Sequence, residues 1–89
     1  MRLDLFLKLS RLIKRRTVAR ILCESGRVLV NGQVSKPSKE IKNGDTIKLL
    51  FTRKEVLLEV LSVSLSSRTL SPEEWYKVIA EKRVEPEQI

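Results

Sequence analysis

The sequence of 89 residues contains no histidine, one cysteine, three glycines and four aromatic side chains. Without histidine, the chain has neither the histidine base of a catalytic triad nor the ligands of a Cys/His zinc site. The single cysteine, Cys23, has no internal partner for a disulfide, which fits a reducing compartment. The glycines match neither a Walker loop nor a dinucleotide-binding fingerprint. We therefore expect no enzymatic activity, no cofactor and no metal ion.

Long apolar runs are also missing, and none reaches the roughly 20 residues of a transmembrane helix. The N-terminal segment MRLDLFLKLSRLIKRR is amphipathic, rich in arginine and poor in acids. Two alternatives follow from this pattern: a transit peptide, and a helix that lies on a membrane surface. However, a domain this small needs Leu3, Phe6 and Leu7 for its core. We expect a cytoplasmic protein without a membrane partner.

Positive charge is abundant and unevenly distributed along the chain. There are 18 Lys/Arg and 11 Asp/Glu residues, which give a formal net charge of +7. Residues 1–54 hold 14 of the cations and 4 of the acids, whereas residues 55–89 hold 4 cations and 7 acids. A generic soluble surface would mix the two signs. The asymmetry predicts a basic face for a polyanionic partner in the N-terminal part.

Apolar spacing predicts two short helices at the start of the chain. The apolar positions of LDLFLKL recur at helical intervals, which indicates a helix at about residues 3–9. The four-residue interval between Ala19 and Cys23 indicates a second helix at about residues 15–25. Gly26 follows in the position where glycine commonly ends a helix.

The middle of the chain is typical of β-strands. RVLVNGQVSK predicts a hairpin, because Asn31 and Gly32 suit the two positive φ angles of a type I′ turn. TIKLLF at residues 46–51 and VLLEVLSV at residues 56–63 predict two further strands. KNGD, at residues 42–45, predicts the turn that precedes them.

The end of the chain, SPEEWYKVIAEKR, has the signals of a C-terminal helix. Ser71 suits the N-cap and Pro72 suits the first helical position. Trp75, Val78 and Ile79 would then form one apolar stripe. We expect this helix either to pack on the edge of the sheet or to offer a docking face to a protein partner.

The segment KRRTVARIL begins at Lys14 and concentrates cations at the predicted start of the second helix. The helix dipole disfavours cations there, but the unpaired N–H groups of a first helical turn bind phosphate. Arg15, Arg16 and Arg20 carry planar guanidinium groups that match phosphate oxygens. The alternative is a charged helix face that only contacts solvent. If the anion site exists, Arg16→Glu should abolish binding of the polyanion and leave the melting temperature nearly unchanged.

Five short motifs follow one another in order across residues 2–50. They are R-L-D near the N-terminus, R-R-T-x-A from Arg15, G-R-V-x-V-N-G from Gly26, K-P-S from Lys36 and G-D-x-I from Gly44. No single motif is specific, but their order and approximate spacing resemble those of the S4 RNA-binding domain. One departure is Arg15 itself, where many S4 domains carry a serine.

The resemblance implies an α+β fold, the αL motif, in which two short helices pack on a small, mostly antiparallel sheet. We place this S4 domain at residues 1–52, with a strand and helix extension packed on it at residues 53–89. S4 domains bind structured RNA through their helices and an adjoining loop. The residues expected to bind RNA are Arg2, Asp4, Lys8, Arg11, Lys14, Arg15, Arg16, Thr17 and Arg20, with Lys36 and Ser38 in the loop. Asp4 would either orient a neighbouring arginine or accept a hydrogen bond from a ribose hydroxyl.

The segment LSRLIKRRT is similar to that of small bacterial S4 proteins of ribosome-associated quality control, and more loosely to that of ribosome-associated heat-shock proteins. This similarity implies binding to 23S rRNA of the large ribosomal subunit and to peptidyl-tRNA on stalled 50S subunits. It also implies a role in C-terminal tailing of the stalled chain, with a tailing factor as a further partner, for a protein that is monomeric when free. The alternatives are a protein-interaction adaptor and a general structured-RNA binder in ribosome assembly or heat-shock recovery.

Overall fold

The computed structural model describes residues 1–63 and 72–84, with the side chains of residues 72 and 73 excepted. Helices α1 (Leu3–Leu9) and α2 (Arg16–Glu24) come first and are followed by a five-stranded sheet. The strand order is β2-β1-β3-β4-β5, and every neighbouring pair is antiparallel. The strands are β1 (Val28–Val30), β2 (Gln33–Val34), β3 (Thr46–Leu50), β4 (Lys54–Val60) and β5 (Tyr76–Arg83), and a single helical turn, α3 (Pro72–Trp75), precedes β5.

Both predicted N-terminal helices are present within a residue of their expected limits. Helix α1 buries Leu3, Phe6 and Leu7 completely, because these positions fall on one side of the helix. Helix α2 buries Ala19 and Cys23 on the side that meets the sheet. Of the helices in the described residues, none is long and apolar enough to cross a membrane.

The predicted hairpin and the strands that follow it are confirmed. Asn31 has a φ of 50° and Gly32 a φ of 84°, so both central residues of the β1–β2 turn have left-handed backbones. The Asn31 amide also donates to Asp45 Oδ1 at 3.1 Å and accepts from the Thr46 N–H at 3.0 Å, which ties this turn to the start of β3. Strand β4 begins two residues earlier and ends three residues earlier than predicted.

The predicted C-terminal helix is wrong over most of its length. Only Pro72–Trp75 is helical, and Tyr76–Arg83 forms strand β5, which pairs with β4 along its length. Trp75 is buried and meets Phe6 edge to face at 5.9 Å between ring centroids, but Val78 and Ile79 are about half exposed. The proposed cap, Ser71, lies outside the described residues.

A bulge explains why the sequence of β5 does not look like a strand. The register shifts between Leu57 and Leu58 of β4, so that Ile79 is an extra residue opposite them. An extra residue reverses the alternation of side chains between the two faces of a sheet. The apolar positions of this segment therefore imitate helical spacing, although the backbone is paired with β4. The two C-terminal strands share one sheet with β1 and β3, and the predicted boundary at residue 52 stays a prediction.

Candidate nucleic-acid interface

A buried carboxylate joins the starts of the two helices. Asp4, in the first turn of α1, is fully buried and accepts a hydrogen bond from the Leu5 N–H at 2.8 Å. Its Oδ1 also accepts from Arg2 Nε at 3.2 Å, and its Oδ2 accepts from Arg16 Nε at 3.3 Å. The Arg2 and Arg16 side chains remain 50% and 43% exposed, so one face of each is open to solvent. Asp4 therefore orients two arginines, which was one of the two roles expected for it.

The electrostatics of Asp4 favour its charged form. Burial alone would raise the pKa of this carboxyl group, because the charged form loses its hydration. The hydrogen bond and charge of Arg16, the Leu5 N–H and the charge of Arg2 act in the opposite direction and lower the pKa below its ordinary value. Asp4 is therefore ionised at neutral pH and holds both guanidinium groups in place.

These contacts change what is expected of Arg16. The sequence suggested a surface arginine whose reversal would leave the melting temperature unchanged. In the structure, Arg16 is bonded to a buried carboxylate, and removing one partner of such a pair is destabilising. Arg16→Glu would also place two carboxylates together, so we expect it to lower stability as well as binding. Arg20 has no described hydrogen-bond partner and is the cleaner position to test.

Helix α2 begins without a cap from its own chain. Its N-cap residue, Arg15, has extended backbone angles and makes no capping hydrogen bond with its side chain. The N–H groups of Arg16, Thr17 and Val18 find no acceptor among the described residues. Such a helix start can accept an external anion, and phosphate suits it because the donors and the dipole act together.

The side chains around this helix start line a shallow depression of about 450 Å³, formed by Arg2, Asp4, Arg16, Thr17 and Arg20. A second depression of about 570 Å³ adjoins it, lined by Arg2, Arg20, Glu24, Lys36, Pro37 and Ser38. The two share Arg2 and Arg20, so together they form one continuous basic surface. We call this surface, with the start of α2, the α1–α2 face.

The loop reaches this face because it caps the first helix. The Leu3 N–H donates to the Lys39 carbonyl at 2.8 Å, and the Asp4 N–H donates to the Pro37 carbonyl at 3.1 Å. Lys36 and Ser38 are thereby carried next to Arg2 and Arg20. Of the eleven residues predicted to bind RNA, the structure brings seven together: Arg2, Asp4, Arg16, Thr17, Arg20, Lys36 and Ser38.

The other four predicted residues do not line the two depressions. Lys8 is in the last turn of α1, Arg11 and Lys14 are in the connection between the helices, and Arg15 precedes α2. All four are exposed, and Arg11 has a left-handed backbone with φ of 66°. They add to the positive charge of the N-terminal part of the chain. Glu24 lines the second depression and was missed, although its position one helical turn after Arg20 indicated that it would share that side of α2.

Comparison with known proteins agrees with this arrangement. The model of the S4 domain family matches residues 1–47. The RQC P-site tRNA stabilizing factor of Halalkalibacterium halodurans is 45% identical over 86 residues, which cover 97% of this chain and 94% of that protein. The protein of the same name from Bacillus subtilis is 37% identical over 84 residues, which cover 94% of this chain and 98% of that protein.

A solved structure shares the fold of this chain. The trimeric structure of heat shock protein 15 from Vibrio cholerae matches with a TM-score of 0.79 at 34% identity, and the match covers 90% of this chain and 82% of that chain. Fold and motifs together define an S4-domain protein. Within that class, the chain belongs to the family of the RQC P-site tRNA stabilizing factors. The resemblance predicted from five short motifs is confirmed.

Proposed function

We propose that this protein binds structured RNA through the α1–α2 face, contacting rRNA of the large ribosomal subunit and the peptidyl-tRNA of stalled 50S subunits. The RQC P-site tRNA stabilizing factors are named for a tRNA ligand and for quality control, and they match this chain over nearly all of both lengths. By holding the tRNA, the protein would support C-terminal tailing of the stalled chain, in the cytoplasm and on the ribosome.

The observation that carries this proposal is the arrangement of arginines at the open start of α2. Asp4 holds Arg2 and Arg16 before any ligand arrives, so less side-chain entropy is lost on binding. Arg20 completes the group from the next turn of the helix. Guanidinium groups donate paired hydrogen bonds to phosphate oxygens, and the first-turn N–H groups of α2 supply further donors.

The absence of exposed aromatic rings at this face favours duplex or junction RNA over single strands. The residues that line the two depressions are charged, small or apolar, and none is aromatic. Single-strand binding usually depends on bases that stack on aromatic side chains. Phosphate contacts should instead dominate, so the affinity should fall steeply with salt, with a log–log slope on the order of −4 if about five phosphates are neutralised.

The decisive test is Arg20→Glu, measured by co-sedimentation with 50S subunits and by titration of a labelled tRNA. We expect affinity to fall roughly tenfold or more, because a charge-assisted hydrogen bond is replaced by repulsion. Lys77→Glu, an equal charge change at an exposed position of β5, is the matched control and should bind nearly normally. Wild-type affinity of a folded Arg20→Glu protein would refute the assignment of the α1–α2 face.

A second candidate function is a general role with structured RNA in heat-shock recovery. It is favoured by the likeness to heat shock protein 15 over most of both chains. The two candidates differ in the ligand that they require on the ribosome. Tighter binding to 50S subunits that carry peptidyl-tRNA than to empty 50S subunits would support the quality-control role, and equal binding would support the second candidate.

A further inference from the structure

Residues 1–54 contain four acidic side chains, and three of them are bonded within the protein. Asp4 orients two arginines, and Glu40 pairs with the N-terminal ammonium group at 2.8 Å. Asp45 accepts hydrogen bonds from a backbone N–H at 2.9 Å and from a side-chain amide at 3.1 Å. The fourth, Glu24, has no ion pair with a described residue, and none of the described hydrogen bonds reaches its carboxylate.

The local structure of α2 gives no reason for a carboxylate at this position. Glu24 is the last residue of the helix, where the dipole disfavours negative charge. Arg20 lies four residues before it, but an acid that follows its cation at this spacing is the less favourable order for a helical ion pair. The Glu24 side chain is also exposed, so it adds nothing to the core. Its carboxylate is a hydrogen-bond acceptor that the described part of the protein does not use.

The surroundings of Glu24 restrict the ligand that could use this acceptor. The second depression of the α1–α2 face is lined by Glu24 together with Arg2, Arg20, Lys36, Pro37 and Ser38. Its three cations attract phosphates, whereas a phosphate brought next to the carboxylate is repelled by it. A ligand that suits both must therefore carry a hydrogen-bond donor close to its phosphates.

RNA has two kinds of donor, the 2′-hydroxyls of its riboses and the N–H groups of its bases. In a duplex most base N–H groups are engaged in base pairs, whereas the wide, shallow minor groove displays the 2′-hydroxyls. The second depression has no aromatic ring on which an unpaired base could stack. The ribose hydroxyl is thus the donor that fits, because it lies next to the phosphates that the cations hold.

We propose that Glu24 accepts a hydrogen bond from a ribose 2′-hydroxyl and thereby makes the α1–α2 face selective for RNA. This inference rests on the proposed function and deepens it. Arg2, Arg20 and Lys36 attract the phosphates of any nucleic acid, and the carboxylate of Glu24 repels them. Only a ligand with the hydroxyl offsets that repulsion, so the selectivity has an attractive and a repulsive part.

The test measures the affinities of the wild type and of Glu24→Ala for two labelled hairpins of the same sequence. One hairpin is RNA, and the other carries 2′-fluoro groups, which keep the A-form helix but cannot donate a hydrogen bond. We expect the wild type to prefer the RNA hairpin by roughly fivefold, as for one hydrogen bond. Glu24→Ala should lose most of this preference, because its affinity for RNA falls while its affinity for the 2′-fluoro hairpin rises. The ratio of the two affinities should change little with salt, since both hairpins carry the same phosphates.

Two further variants separate the hydrogen bond from the change in charge. Glu59→Ala makes the same charge change on β4, at a residue that lines neither depression, and should keep the wild-type preference. Glu24→Gln retains an amide oxygen that accepts a hydrogen bond and should keep part of the preference. Alanine is a strong helix former, so Glu24→Ala should fold, and circular dichroism checks each protein.

A wild-type preference in folded Glu24→Ala, or a wild type without any preference, would overturn the role of Glu24 and leave the α1–α2 face intact. An equal loss of affinity for both hairpins in Glu24→Ala would also overturn it, because Glu24 would then act by positioning Arg20 or by contacting a base. Failure of the proposed function gives a different result. In that case the wild type would bind neither hairpin, or Arg20→Glu would bind both as tightly as the wild type does.

Discussion

The starts of the two N-terminal helices look alike in sequence and differ in the folded protein. Each helix has an arginine at its N-cap, Arg2 for α1 and Arg15 for α2, and neither arginine caps its helix with its side chain. At α1, the first three N–H groups are all bonded, two to carbonyls of the loop at residues 37–39 and one to the Asp4 carboxylate. At α2, the first three N–H groups have no acceptor among the described residues.

The comparison separates a structural helix start from one that is available to a ligand. Closing the start of α1 brings the loop to the α1–α2 face and buries Asp4, which then orients arginines on both helices. The start of α2 lies next to those arginines and keeps its donors unused. The start of α1 thus positions the side chains of the site, and the start of α2 supplies unpaired backbone N–H donors.

The largest expected effect comes from breaking the closed start of α1 with Asp4→Asn. The amide keeps the shape of the carboxylate but loses the charge that holds two guanidinium groups, so we expect a loss of roughly 2 kcal/mol in the free energy of unfolding. RNA affinity should fall as well, because Arg2 and Arg16 would lose their fixed orientation. Urea denaturation and RNA titration measure the two effects.

Glu24→Gln is the matched control for Asp4→Asn. It removes a carboxylate from the same surface, but Glu24 is exposed and makes no described ion pair. We expect it to change stability by no more than about 0.5 kcal/mol. Equal stability of the Asp4 and Glu24 variants would show that the Asp4 contacts do not organise the helix starts.

The stability difference between wild type and Asp4→Asn should depend on pH. The pKa of Asp4 is lowered in the folded protein, so its contribution is fully present above the ordinary aspartate pKa and is lost as the pH falls through the lowered value. We therefore expect a constant difference from pH 5 to pH 8, which shrinks on acidification below about pH 4. Glu40, whose pKa is lowered by its hydrogen bond and ion pair with the N-terminal ammonium group, is present in both proteins and cancels in the comparison. A difference that is unchanged at pH 2–3 would contradict the assignment.

A smaller effect is expected from closing the open start of α2 with Arg15→Ser. A serine at the N-cap can accept a hydrogen bond from a first-turn N–H, which typically stabilises a helix by about 1 kcal/mol. The same change removes a cation and occupies a donor that the RNA would use, so stability should rise while RNA affinity falls severalfold.

Arg15→Gln separates the two parts of that effect. It removes the charge and supplies a poorer cap, so its stability should stay near that of wild type, and its affinity should lie between those of wild type and Arg15→Ser. Thermal unfolding and RNA titration of the three proteins provide the measurement. If Arg15→Ser bound RNA as tightly as wild type, the open helix start would have no part in binding.

The last prediction concerns the chemical reactivity of Cys23, which lies on the buried side of α2. Burial raises the pKa of this thiol to about 11, with further contributions from the charges of Asp4 and Glu24. The folded protein should therefore react very slowly with iodoacetamide at pH 8, because little thiolate is present and little of it is accessible. Protein unfolded in guanidinium should react at the rate of an ordinary cysteine. Rapid labelling of the folded protein would show that α2 separates readily from the sheet.

Local signals predicted most of the N-terminal two thirds of the fold. The spacing of Leu3, Phe6 and Leu7 is sufficient for α1, because a short helix is determined by which of its sides is apolar. Asn31 and Gly32 are sufficient for the first hairpin turn, because few other residues tolerate two successive positive φ angles. The same reasoning failed for Tyr76–Arg83, where a bulge made a strand resemble a helix.

The sequence predicted most of the residues of the candidate site, but only partly how they are arranged around it. Sequence order and charge density indicated the arginines, and the S4 resemblance indicated the loop at Lys36 and Ser38. They did not distinguish Arg20, which lines both depressions, from Lys14, which lines neither. They also left open whether Asp4 serves the protein or the RNA, since that depends on which side chains surround it after folding.

The amino-acid sequence by itself determined the two N-terminal helices, the first hairpin turn and the concentration of positive charge before residue 55, because each depends on neighbours within a few positions. Tertiary structure decided what depends on residues distant in the chain. It paired Tyr76–Arg83 with β4, brought the loop at residues 37–39 to the start of α1, and placed Asp4 between Arg2 and Arg16. Long-range backbone hydrogen bonds and buried ion pairs form only when distant segments pack together, and local sequence patterns do not encode which segments will meet.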